Sequence, residues 1–122
     1  RSGVELHWSM ARLPEISGVT PSHALNVLRI LQEAVTNAVR HGQATRIDVI
    51  GDQDDHGQAR IVVRNDGVSF PRHSNRTGKG LPNMRRRIRQ LNGAIEIEPL
   101  DDGTRLTVLL PLQLPTPAER AG

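Results

Sequence analysis

The chain has 122 residues, 36% of them hydrophobic and 2% aromatic, with 16 basic against 13 acidic side chains for a net charge of +3. That is enough for one small domain with one modest core. The absence of cysteine excludes a disulfide framework, a thiol nucleophile and a thiolate metal site. One Trp, one Phe and no Tyr leave no stacking platform for bases, so the slight basic excess argues for a local anionic ligand and not for nucleic acid. No apolar stretch approaches the roughly 20 residues of a membrane span. The chain begins at Arg1 without a signal-peptide pattern and reads as a piece of a longer protein, whose remainder has room for a membrane segment.

In chain order, residues 4–8 (VELHW) alternate weakly and suggest a short strand, followed by a polar loop. Thr20-Pro21 is a helix start, a hydroxyl N-cap before proline at the first helical position. The helix is expected to reach about His41, with Gly42 placed to end it. Ala24, Leu28, Leu31, Val35 and Ala38 recur at spacings of three and four and mark its core side. Leu25, Val27, Ile30, Ala34 and Val39 widen that side, while Asn26, Arg29, Glu33, Asn37 and Arg40 form a polar stripe. Residues 45–51 and 59–64 read as strands joined by a hairpin-like turn. Residues 65–80, rich in Gly, Ser, Asn, Arg and Pro, form a loop long enough to be a lid. Residues 81–91 predict a second helix with Leu81, Met84, Ile88 and Leu91 inward and a stop at Asn92-Gly93. Residues 94–99 and 104–111 alternate and make a hairpin. Residues 113–122 have the composition of a flexible tail, which leaves 1–112 as the domain. This order predicts an α+β fold, with helices on one face of a mixed, mostly antiparallel sheet.

Four constellations carry possible chemistry. Glu33 and Asn37 are four residues apart on one helix face, where a carboxylate and an amide oxygen can share a site. One amide oxygen with phosphate oxygens and water suits a hard cation; the plainer meaning of the spacing is a solvated face. The run Asn65-Asp66-Gly67-Val68-Ser69-Phe70 ends a strand, and Gly67 admits a close approach of backbone or ligand; a plain turn has the same composition. Gly78-Lys79-Gly80-Leu81 opens a helix whose N-terminus favours anions. It is neither a P-loop nor a dinucleotide fingerprint, since no Ser or Thr follows Gly-Lys and Asn83 stands where a third Gly belongs. Arg85, Arg86, Arg87 and Arg89 are a solvated helix face, a phosphate contact or a dock for an acidic partner. The five histidines match no zinc spacing. His41 ends the first helix, and the others read as surface or loop residues.

Taken in order, these pieces resemble the ATPase domain of bacterial sensor histidine kinases, of the superfamily that includes DNA gyrase, Hsp90 and MutL. QEAVTNAVRHGQAT (32–45) is similar to the asparagine box of the subfamily whose response regulators carry a helix-turn-helix domain. NDGVSF (65–70) is similar to the first glycine box, GKGLPNMRRRIRQLNGAIEIE (78–98) to the second and its continuation, and GTRLTVLLP (103–111) to the final strand motif. The match covers roughly residues 20–112, and the ordered set is far more specific than any member.

The resemblance implies a two-layer α/β sandwich of the Bergerat type, with ATP and magnesium under a mobile lid. It implies that Glu33 positions or activates the group attacking the γ-phosphate and that Asn37 binds magnesium. Arg40 and His41 belong near the phosphates, Asn65 at the adenine, and Gly67 beside the base. Gly78, Lys79, Gly80 and Leu81 belong to the lid and its phosphate contacts. Thr104 joins the adenine site through water. The implied reaction is γ-phosphoryl transfer to a histidine on a dimerisation domain absent from this chain, with a response regulator downstream. The fragment is then a monomer that cannot autophosphorylate alone, from a cytoplasmic part of a homodimer that is open to anchoring in the inner membrane. The family usually has Asp where this chain has Asn65. A neutral acceptor is worth about 1 kcal/mol less than a charged one. Asp66 cannot substitute, because neighbouring strand residues face opposite ways. Ser69 replaces a second glycine. These departures keep two further readings open, a degenerate signalling module without turnover and a serine kinase of the anti-sigma-factor type.

Overall fold

A computed structural model describes residues 3–41, 43–68 and 80–116, with Gly80 and Leu81 described by their backbone alone. The expected stop at Gly42, the lid residues 69–79 and the end of the tail lie outside the described residues. The elements are β1 (Glu5–Ser9), α1 (Pro21–Arg40), β2 (Arg46–Gln53), β3 (Ala59–Asp66), α2 (Gly80–Arg89), β4 (Ala94–Leu100) and β5 (Gly103–Leu110).

Thr20 opens α1 as its chemistry predicts. Its hydroxyl accepts the His23 N–H at 3.1 Å, and His23 Nδ1 in turn accepts the Thr20 N–H at 3.2 Å. An imidazole thus closes a capping box that Glu or Gln usually closes. That role draws His23 into the interior at 4% exposure, which corrects its reading as a surface residue. The face of α1 that packs is also narrower than periodicity suggested. Ile30, Leu31, Ala34 and Ala38 are buried, whereas Leu28 is 60% exposed and Leu25 is exposed too. Apolar residues surround most of this helix, so spacing alone leaves its inward face undetermined.

α2 ends in a Schellman motif. Asn92 has φ 59°, its N–H donates to the Arg89 carbonyl at 3.0 Å, and the Gly93 N–H donates to the Ile88 carbonyl at 3.0 Å. Met84, Ile88 and Leu91 are buried. The sheet has the order β1-β2-β3-β5-β4. β1 runs parallel to β2, and every other pair is antiparallel. Ile47, Val49, Ile61, Val63, Ile95, Leu106 and Val108 form one buried face, joined with α1 and α2 in a single core. Period-two alternation sends Ile50, Val62 and Leu109 to the other face, where Arg60 pairs with Asp52 at 2.8 Å and Arg105 with Glu98 at 2.6 Å.

The domain extends past residue 112. The Ser17 N–H donates to the Leu112 carbonyl at 2.7 Å, and the Leu114 N–H donates to the Ser17 carbonyl at 2.9 Å. Leu114 is buried in the core. Gln113 and Leu114 therefore belong to the body and not to the tail, held by the burial of Leu114 together with the two backbone bonds to Ser17.

Candidate functional site

β3 ends beside the start of β5, with Asn65 directly opposite Thr104. Both are buried, at 7% and 8% exposure, on a face otherwise built from aliphatic side chains. α1 crosses above them. Asn37 of α1, Asn65 and Thr104 line one cleft whose walls are Val63, Val68, Ile97 and Leu106. Ala34 and Ala38 flank Asn37 on the helix, and their small side chains keep the cleft open. Three convergent polar groups in an apolar cleft fit a flat heterocycle with a few hydrogen-bonding edges.

The backbone at the strand tips is closely matched. A Cβ on Gly103 would fall 1.9 Å from the Asn65 carbonyl oxygen, so only glycine fits there. Gly67 has φ 100° and turns the chain at the end of β3, which carries Val68 onto the cleft wall. The Asn65 side-chain amide donates to the Asp66 carbonyl at 2.7 Å. Asp66 itself looks the other way. Its carboxylate accepts the Thr45 N–H at 2.8 Å, the Thr45 hydroxyl and the Arg46 N–H at 2.9 Å. The Thr45 hydroxyl above all, then the two backbone donors, hold the Asp66 carboxyl below the usual carboxylate range.

Glu33 lies in a neighbouring cleft between α1 and α2, with Arg29, Gln32, Thr36, Asn83, Met84 and Arg87. Arg87 there donates to the Asn26 side chain at 3.0 Å. None of the ion pairs among the described residues involves Glu33. The two members of the Glu33–Asn37 pair thus serve adjoining clefts along one helix. Arg40 and His41 are exposed at the end of α1 and line neither cleft. Gly80 and Leu81 open α2. Gly78 and Lys79 lie outside the described residues.

Sequence reasoning missed the apolar walls and the Asp66–Thr45 bonds. The alanines at i and i+4 around Asn37 were the one local signal for the cleft. Among the described residues, no group of three or more acidic or histidine side chains could hold a metal alone. A cation here needs oxygen ligands from the bound molecule, which is how magnesium is usually held. Asn37 fits such a shared site.

The family of histidine kinase-, DNA gyrase B- and HSP90-like ATPases matches residues 22–114. The Sensor protein NarQ homolog of Haemophilus influenzae is 36% identical over 102 residues, covering 82% of this chain and 18% of that protein. The signal transduction histidine-protein kinase/phosphatase UhpB of Salmonella typhimurium is 33% identical over 95 residues, covering 78% of this chain and 19% of that protein. The chain therefore spans about a fifth of the length of these curated relatives. The histidine kinase domain of the Erythrobacter litoralis EL346 blue-light activated histidine kinase superposes with a TM-score of 0.74. That alignment covers 92% of this chain and 53% of that one at 18% identity, a likeness of fold. Family match and fold agree that the chain belongs to the histidine kinase-, DNA gyrase B- and HSP90-like ATPases.

Proposed function

We propose that this domain binds ATP with magnesium in the cleft beneath α1 and donates the γ-phosphoryl group to a histidine on a dimerisation domain elsewhere in the same protein. The observation that carries this reading is the convergence of Asn37, Asn65 and Thr104 from three elements on one apolar cleft. Asn65 accepts from the adenine amino group, Thr104 joins through water, and Gly67 leaves room beside the base. Asn37 offers its amide oxygen to magnesium, which when bound neutralises phosphate charge during transfer. Arg40 and His41 serve the phosphates from the end of α1. Gly80 and Leu81 at the start of α2 belong to the ATP-binding set, as do Gly78 and Lys79 just before them in sequence, which lie outside the described residues.

Glu33 orients the incoming imidazole and accepts the proton it releases as the N–P bond forms and the bond to the β-phosphate oxygen breaks. It makes no ion pair among the described residues, which suits that task. Catalysis rests on positioning and charge stabilisation, as in other phosphoryl transfers. The acceptor of the signal is a response regulator with a helix-turn-helix domain. The reading further makes the isolated domain a monomer, the full-length protein a homodimer, and the domain's location the cytoplasm, with the parent protein open to inner-membrane anchoring. Among the described residues, no helix is long and apolar enough to cross a membrane.

The test is calorimetric titration of the folded domain with ADP and a non-hydrolysable ATP analogue, with and without magnesium. The expected result is micromolar-to-millimolar binding that magnesium strengthens. Asn37→Ala removes the magnesium increment, and Glu33→Gln leaves affinity within about twofold, because it acts on the attacking group and not on the ground state. Absence of binding at millimolar nucleotide would falsify the kinase reading and leave a degenerate signalling module.

A further inference from the structure

Asn65 and Asp66 are neighbours on β3 that face opposite sides of the sheet, one into the cleft and one toward Thr45 and Arg46. A carboxylate at the base-reading position needs no orientation, since both of its oxygens accept. A carboxamide does. One end accepts and suits a 6-amino purine, whereas the other donates and suits a 6-oxo purine. The orientation of Asn65 is set by its bond to the Asp66 carbonyl at 2.7 Å, since only the NH₂ end can donate to a carbonyl. Acceptance in the cleft then falls to Oδ1.

The carbonyl that sets this orientation is itself held. The last registered pair between β2 and β3 is Ile47 with Asn65. One residue further on, the Asp66 carboxylate takes over from the ladder, gathering the N–H groups of Thr45 and Arg46 and the Thr45 hydroxyl. On the β5 side Asp66 is registered with Gly103; the clamp fixes its β2 side, and between the two its carbonyl stays at the Asn65 amide.

We propose that Asp66 is a positioning residue for base selection: by clamping Thr45 and Arg46 it locks the Asn65 amide with its acceptor toward the cleft, and so selects a 6-amino over a 6-oxo purine. The inference rests on the nucleotide reading above and adds what makes an asparagine selective there.

The experiment compares ADP with inosine diphosphate, which carries a 6-oxo group in place of the 6-amino group, by calorimetry on the domain. The unaltered domain is expected to prefer ADP by about tenfold or more. Asp66→Asn halves the accepting capacity of the clamp. It lowers ADP affinity by about fivefold and moves the ratio toward one, because the amide is now able to flip. Adding Asn65→Asp to Asp66→Asn restores the preference, since a carboxylate has no donor end to present. A merely structural role for Asp66 would not be rescued in this way. Should Asp66→Asn fail to fold, Thr45→Val, which removes one of the three donors, carries the same comparison with a smaller shift in the ratio. A folded Asp66→Asn or Thr45→Val domain that keeps the original ratio overturns the inference, as does a double variant no more selective than Asp66→Asn. A folded domain that binds both nucleotides equally overturns this inference alone. One that binds neither overturns the nucleotide reading with it.

Discussion

Asp66 has a thermodynamic signature of its own. Hydrogen bonds from Thr45 and Arg46 favour its charged form and hold its carboxyl below the usual range. The other charged groups around the same recess are Arg46, Asp48, Arg64 and Asp102. A carboxyl depressed in the folded state stabilises the fold above its unfolded pKa, and that stabilisation is lost as pH falls through the folded value. Asp52, held down by Arg60, acts in the same sense. Melting temperature is therefore expected to fall on acidification below the ordinary carboxylate range. In Asp66→Asn the same acid limb is shallower, measured by calorimetric melts in steps of pH. An acid limb unchanged by the substitution would mean that the clamp does not form in solution.

At the scale of the element, α1 separates burial from apolar spacing. Leu28 sits on the predicted core stripe but is largely exposed, whereas Ile30, one of the side chains that merely widened the stripe, is 1% exposed. Ile30→Ala is expected to cost about 2–5 kcal/mol, the range for removing a buried branched side chain. Leu28→Ala should stay within about 0.5 kcal/mol, as surface changes do. Urea unfolding of the two variants checks this, and equal costs would show that α1 packs with a different face. The ambiguity was inherent in the sequence, for nine of its apolar side chains from Leu25 to Val39 leave only a narrow polar stripe. The caps were different. Thr20-Pro21 and Asn92-Gly93 act on atoms within a few residues along the chain, and the structure has a helix boundary at each.

At the scale of the molecule, the closing segment ties the start of the chain to its end. Ser17 bridges Leu112 and Leu114, and Leu114 fills the core. A chain ending at residue 112 is expected to lose on the order of 2–4 kcal/mol, the transfer and cavity cost of one buried leucine. At about 4–8 °C per kcal/mol for a small domain, its melting temperature falls by roughly 10 °C or more. A chain ending at residue 116 melts with the full-length domain. Equal melting of the two truncations would return Gln113 and Leu114 to the tail. Composition had assigned them there because QLPTP reads as linker. One leucine among prolines carries no period by which burial can be read.

The sequence by itself determined the order of elements, their caps, the alternating faces of the strands and the opposed directions of Asn65 and Asp66. Each depends on residues adjacent in the chain, through backbone conformation or a period of two. It also carried the family, since four motifs in order restrict the fold far more than any one of them. Only the tertiary structure decided which face of α1 is inward, that Asn37, Asn65 and Thr104 share a cleft while Glu33 lies in the next, and that Asp66 reaches back to Thr45. Those facts depend on how the helices sit on the sheet and on pairings between strands far apart in the chain. Such distances are set by the packing of the whole core and are written in no local pattern.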